Sequence, residues 1–291
     1  MAETYQLYID GTWRPAVDGV TIPAVNPFNQ EVHAHIPVAT PADVDEAVAA
    51  ARRAAPGWGR ALPGARARLL NALADLIDAD ATRLALLETT DNGKVIREPS
   101  NQMGYAARLF RYYASWADKV TGDVVPLDVA DTAGLAVREP FGVVACITAW
   151  NSPVAILCNT MPAALAAGNC VIVKPSEHAS VTTLEIARLA EKAGFPAGVF
   201  QGLTGAGETG AALTANPGID KISFTGSPGV GRAIAQAGAG NLKPVCLELG
   251  GKSPNIVFDD ADIEAAVDGA LIGIFAGSGE VCSAGSRLLV E

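Results

Sequence analysis

The sequence predicts an α/β fold, a Rossmann-like parallel sheet flanked by helices. Short apolar runs at 143–148, 170–173, 199–201, 221–224 and 245–247 alternate with helical segments at about 153–167, 181–193, 207–214 and 229–238. That is the spacing of right-handed crossovers in a doubly wound sheet. Apolar residues make up 49% of the chain and charged ones only 18%, which suits strands covered on both faces. At 291 residues the chain is long enough for one large or two ordinary domains with ample core.

Taken in order, residues 5–39 read as short strands and turns, with Asp10-Gly11 a hairpin signal between Leu7-Tyr8-Ile9 and Thr12-Trp13. Thr40-Pro41-Ala42-Asp43 starts a helix, with Thr as cap, Pro at the first position and acids in the first turn. Its Ala-rich pattern runs to about Ala55. Amphipathic helices follow over 63–77 and 81–92, the second stopped by Gly93, and a fourth covers about 99–119. Residues 122–139 read as two strands around the Asp131-Thr132-Ala133-Gly134 turn, a hairpin that either projects or packs on its own domain. After the alternating region come a strand at 255–258, a helix over about 262–275 and a strand at 287–290. Residues 251–291 form a second lobe too small for a core of its own.

A formal charge of −10 without a Lys/Arg cluster argues against nucleic acid, whose phosphates need a concentrated basic surface. The start, Met1-Ala2-Glu3-Thr4-Tyr5, lacks the basic and apolar regions of a secretory signal, so a cytoplasmic protein is expected. The apolar stretch 153–173 contains Pro162, Gly168, Asn159 and Asn169 and reads as helix then strand, not as a membrane span. Five cysteines, with no C-x-x-C and no nearby His pair, argue against a disulfide framework and against zinc. Cys146, Cys158, Cys170 and Cys246 lie in apolar runs and are expected in the core. His33, His35 and His178 are scattered and are assigned no chemistry.

Two glycine-flanked stretches near the end carry candidate chemistry: Leu247-Glu248-Leu249-Gly250-Gly251-Lys252 and Gly279-Glu280-Val281-Cys282-Ser283-Ala284-Gly285-Ser286-Arg287. A cysteine thiolate is a strong nucleophile toward an electrophilic carbonyl. An ordinary thiol, with a pKa near 8.5, is only a few per cent ionised at neutral pH, so such a site must lower that value or borrow a base. A carboxylate one water away can then activate that water to break the resulting thioester. Taken singly, such a Glu is usually a solvated turn residue and such a Cys a small core hydrophobe. Together and in this order the stretches closely resemble the two active-site signatures of the aldehyde dehydrogenase superfamily.

The resemblance implies Cys282 as nucleophile, Glu248 as base, and Asn151 of Ile147-Thr148-Ala149-Trp150-Asn151 as a donor to the oxyanion, beside the Cys282 backbone amide. It places Ile147, Thr148, Trp150 and Leu249 against the cofactor. In Lys174-Pro175-Ser176-Glu177 it places Lys174, Ser176 and Glu177 at the adenosine ribose. A carboxylate there repels a 2′-phosphate, so NAD is expected rather than NADP. Gly205-Ala206-Gly207-Glu208-Thr209-Gly210 is a literal G-x-G-x-x-G, weak by itself, and the resemblance puts Gly207 nearer the adenosine. Gly226, Ser227 and Gly231 fall where a strand end meets a helix start, a place for the pyrophosphate.

The implied organisation is a cofactor domain of residues 1–121 and 140–250, a subunit-pairing hairpin at 122–139, and the start of a catalytic domain at 251–291. The expected activity is oxidation of a small-molecule aldehyde by a homo-oligomer that needs no metal and binds neither nucleic acid nor membrane. The resemblance covers only the front part of a family member, so the second lobe is truncated, and the chain alone is expected to expose apolar surface there and to be inactive. Two rivals stay open: a coenzyme-A-acylating relative, which has no use for Glu248, and a non-catalytic scaffold of the same fold. No G-x-S-x-G elbow supports a serine hydrolase.

Overall fold

The computed structural model describes residues 2–291; Met1, where the first expected domain begins, lies outside them. The N-terminal segment forms β1 (Glu3–Thr4), β2 (Leu7–Ile9), β3 (Thr12–Arg14), β4 (Thr21–Val25) and β5 (Val32–Pro37). Four helices follow: α1 (Pro41–Arg60), α2 (Pro63–Ala79), α3 (Ala81–Asn92) and α4 (Arg97–Trp116). A hairpin of β6 (Asp123–Val125) and β7 (Gly134–Ala136) separates them from the alternating region. That region runs β8 (Val143–Ile147), α5 (Pro153–Ala166), β9 (Cys170–Lys174), α6 (Val181–Ala193), β10 (Phe200–Gly202), α7 (Gly207–Ala215), β11 (Lys221–Gly226), α8 (Pro228–Ala239) and β12 (Val245–Leu249). The chain ends with β13 (Pro254–Val257), α9 (Ile263–Phe275), a 3-10 turn at Ala276–Gly279 and β14 (Arg287–Val290).

Seven strands form the main sheet in the order β12-β11-β8-β9-β10-β2-β3. The first five are parallel, and the β2–β3 hairpin closes the far edge antiparallel, with Tyr8 opposite Gly202. Every residue of β8 and β9 is buried, because α1 and α7 cover one face and α2, α5 and α6 fill in behind the other. β1, β5 and β4 make a separate three-stranded sheet.

Helix α1 begins as expected: the Thr40 hydroxyl accepts from the Asp43 N–H while the Asp43 carboxylate accepts from the Thr40 N–H, a capping box. It then continues past Ala55, through Pro56 to Arg60. Proline removes one N–H from the ladder, and the burial of Trp58, whose indole N–H donates to the Leu165 carbonyl at 3.2 Å, offsets that loss. Gly93 ends α3 in the left-handed region (φ 79°) beside Pro27, where a Cβ would collide with the proline ring.

Two regions stand apart from this body. Residues 122–139 pair only as β6 with β7 and are exposed apart from Gly134, with Val124, Leu135 and Val137 turned outward. In the second lobe β13 and β14 form a parallel pair, and α9 buries no residue.

Candidate active site

Parallel register lines up the strand ends. Ile147 stands opposite both Lys174 and Phe224, Thr225 opposite Glu248, and Gly226 opposite Leu249. The segments leaving β8, β9, β11 and β12 therefore emerge along one edge of the sheet, where open α/β sheets bind ligands.

Ile147 closes β8 and is buried; Thr148 follows it, and its hydroxyl is buried with no partner. Trp150 is exposed. Lys174 ends β9 with its ammonium buried, 3.6 Å from the Glu177 carboxylate. Burial pushes the Lys174 ammonium down from its ordinary pKa, and Glu177 works against that shift. The Ser176 hydroxyl accepts from the His178 N–H, and Gly207 opens α7. Ser227 caps α8 by accepting from the Val230 N–H at 3.3 Å. Gly231 lets that helix lie on β12, since a Cβ there would come within 2.8 Å of Leu249. A buried hydroxyl without a partner, a buried ammonium and a helix start on one edge suit a dinucleotide with its hydroxyls and phosphates.

The thiol end is assembled from three distant parts of the chain. Gly277, Ser278 and Gly279 are all left-handed (φ 61°, 56° and 79°) and turn the chain sharply ahead of Cys282. From α4, Glu98 accepts the Gly277 N–H at 2.9 Å. Asn151, just past β8, donates its side-chain amide to the Glu280 carbonyl at 2.8 Å. Gly251, three residues beyond Glu248, donates its N–H to the Cys282 carbonyl at 3.2 Å. The Cys282 thiol is exposed. One Glu280 carboxyl oxygen is buried without a partner, and burial raises its pKa, with Lys94 opposing and Glu98 reinforcing the shift.

Two expectations are corrected here. Glu248 is exposed within β12, not in a turn after it, because Thr225 and Gly226 prolong β11 and give Glu248 and Leu249 strand partners. Cys246, expected in the core, is also exposed. It lies two residues from Glu248, hence on the same face of a strand at the end of the sheet. Cys146, Cys158 and Cys170 are buried as expected.

Sequence reasoning passed over the end of α3. Glu88 accepts the Val154 N–H at 3.4 Å at the start of α5, and Asp91 accepts the Val181 N–H at 2.9 Å at the start of α6. Lys94, fully buried, donates to Glu88, Gln102 and Ser152. A signal was present: Leu84, Ala85, Glu88 and Asp91 continue one helical stripe, and carboxylates on a buried stripe must have partners.

Comparison with known proteins decides the family. The profile of the aldehyde dehydrogenase family matches residues 13–291. This chain belongs to the aldehyde dehydrogenase family. Among curated relatives, the (Z)-2-((N-methylformamido)methylene)-5-hydroxybutyrolactone dehydrogenase of Acinetobacter baylyi is 46% identical over 293 residues, 99% of this chain and 59% of its own length. Among solved structures, a point mutant of Staphylococcus aureus betaine aldehyde dehydrogenase in complex with NAD+ superposes with a TM-score of 0.97 at 40% identity, over 99% of this chain and 58% of its own. A 3,6-anhydro-L-galactose dehydrogenase in complex with NAP gives 0.96 at 38% identity, over 99% and 60%. The chain thus spans about three-fifths of the relatives it matches. Among the described residues no helix is long and apolar enough to cross a membrane.

Proposed function

We propose that the protein oxidises an aldehyde to a carboxylic acid with a nicotinamide dinucleotide, NAD in preference to NADP, through a covalent adduct on Cys282. The observation that carries this reading is the convergence of Asn151, the Cys282 loop and the chain leaving Glu248 at the edge where the strands end. In this reading the Cys282 thiolate adds to the carbonyl carbon and the carbonyl oxygen becomes an oxyanion. Asn151 has one amide hydrogen engaged by the Glu280 carbonyl, which fixes its plane and leaves the second for the oxyanion, together with the Cys282 N–H. The nicotinamide, when bound, supplies the acceptor for the hydride that leaves the carbonyl carbon. Glu248, exposed on β12, takes a proton from water, the resulting hydroxide cleaves the thioester, and the thiolate departs.

The residues suited to hold the dinucleotide are Lys174, Ser176 and Glu177 at the ribose, Ser227 with Gly226 and Gly231 at the pyrophosphate, Gly207 nearer the adenosine, and Ile147, Thr148, Trp150 and Leu249 along the edge. The preference for NAD rests on Glu177, whose charge would meet a 2′-phosphate; relatives are known with either cofactor. We assign residues 1–121 and 140–250 to a cofactor domain and 251–291 to the start of a catalytic domain. The exposed apolar hairpin at 122–139 is assigned to subunit pairing in a cytoplasmic homo-oligomer.

The test is made on the complete gene product with a panel of aldehydes and NAD, without coenzyme A. Cys282→Ala is expected to abolish NADH formation. Asn151→Ala is expected to lower kcat by roughly 100- to 1,000-fold. Glu248→Gln is expected to leave an acyl group on Cys282, visible by intact mass. Turnover that survives Cys282→Ala would sink the reading, and acyl release only on adding coenzyme A would point to the acylating relative.

A further inference from the structure

The segment carrying Asn151 is held from the end of α3, the residues just after it, and α4. Asn92 donates its side-chain amide to the Trp150 carbonyl at 3.3 Å and the Asn151 carbonyl at 3.5 Å. Ser152 accepts from the Lys94 ammonium at 3.1 Å and from the Gln102 amide at 3.3 Å. Its hydroxyl is therefore not used to cap α5, and Glu88 reaches across from α3 to take the Val154 N–H instead.

Lys94 is at the centre of this arrangement. It is 1% exposed, and its acceptors, Glu88 at 3.0 Å, Gln102 at 2.7 Å and Ser152 at 3.1 Å, match the three donors of an ammonium. Burial raises the Glu88 carboxyl, and the neighbouring Lys94 pulls it back down. A buried ion pair is a poor means of adding stability, because desolvating both charges costs several kcal/mol and apolar residues of the same size often do as well. What apolar residues cannot supply is direction, and here the ammonium points at Ser152, next to Asn151. Its charge also pulls the Glu280 carboxyl down against the effect of burial, and the carbonyl of that residue receives the Asn151 amide.

We infer that Lys94 is a positioning residue: braced by Glu88 and Gln102, it holds Ser152 and so sets the Asn151 amide against the Cys282 loop. The inference rests on the proposed role of Asn151. Lys94 touches no reacting atom. It acts by fixing a donor whose misplacement by about 1 Å is enough to cost on the order of 100-fold in rate.

The test uses Lys94→Met, Ser152→Ala and Phe110→Ala in the complete gene product, with Cys282→Ala in the same series. Lys94→Met is expected to lower kcat 10- to 100-fold while the KM for NAD stays within about two-fold. Alkylation of Cys282 by iodoacetamide, which needs no oxyanion donor, keeps its rate. Ser152→Ala removes the two contacts from Lys94 and Gln102 while leaving Lys94 paired with Glu88, and lowers kcat by a smaller factor, so it carries the test should Lys94→Met not fold. Phe110→Ala, a truncation in the core of α4, lowers stability and leaves kcat per folded molecule unchanged. Unchanged kcat in folded Lys94→Met or in Ser152→Ala would overturn the inference. So would an equal loss in Phe110→Ala, which would mark the effect as general destabilisation. If Cys282→Ala itself turns over, the underlying mechanism fails instead.

Discussion

Strands β8 and β9 bury every residue they contain, whereas α9, the most apolar helix among the described residues, buries none. Composition therefore does not make an interior; facing partners do. The sheet gathers α1, α5, α6, α7 and α8 against its faces, so that each methyl group leaving water finds another already there. The second lobe is joined chiefly by backbone bonds, the β13–β14 pairs and the links from Gly285 to Gly273 and from Gly251 to Cys282. Ile263, Val267, Leu271, Leu288 and Val290 stay open to solvent.

The contrast is broken or sharpened most by thiol chemistry. Burial pushes Cys146 and Cys170 up to about 12, and Cys158 further in the same direction. Set against an ordinary thiol near 8.5, this leaves them roughly 3,000-fold or more short of thiolate at neutral pH. Iodoacetamide at pH 7.5, read by peptide mass, should mark Cys246 and Cys282 and spare the other three. Labelling of Cys146 at the same rate would mean that the sheet opens as readily as the lobe.

Next comes side-chain truncation. Phe110→Ala, fully buried on α4, should cost about 3–5 kcal/mol in urea unfolding. Ile272→Ala, 71% exposed on α9, should stay within about 0.5 kcal/mol. Equal costs would show a hidden core in the lobe.

The smallest effect is expected at Glu280, where the two regions touch. Its carboxyl titrates above the ordinary value, so the folded state favours the protonated form and loses stability as pH rises through the shifted pKa. Glu280→Gln should accordingly raise Tm at pH 8 and leave it unchanged at about pH 3, well below the ordinary glutamate value. A shift of the same size at both pH values would remove charge as the cause.

The alternation of apolar runs made the order of strands and helices from β8 to β12 legible, because a strand covered on both faces leaves an uninterrupted run. The family resemblance around Glu248 and Cys282 was legible for a different reason: few chemistries pair those glycine-flanked stretches. The end of β12 was not, since its last two residues are strand only because Thr225 and Gly226 stand beside them. Nor was the exposure of Cys246, which depends on the strand's place at the end of the sheet. The brace around Lys94 escaped because its acceptors come from α3, α4 and the start of α5. No local pattern announces contacts of that kind.

The hairpin at the far end of the sheet bears on how the chain is made. Leu7, Tyr8 and Ile9 pair at once with the adjoining β3, yet their inner neighbour in the sheet is Phe200–Gly202, which leaves the ribosome far later. At about 5–20 residues per second, that apolar triplet waits roughly 10 to 40 s for its mate. During synthesis that triplet is thus a natural place for a chaperone to hold on.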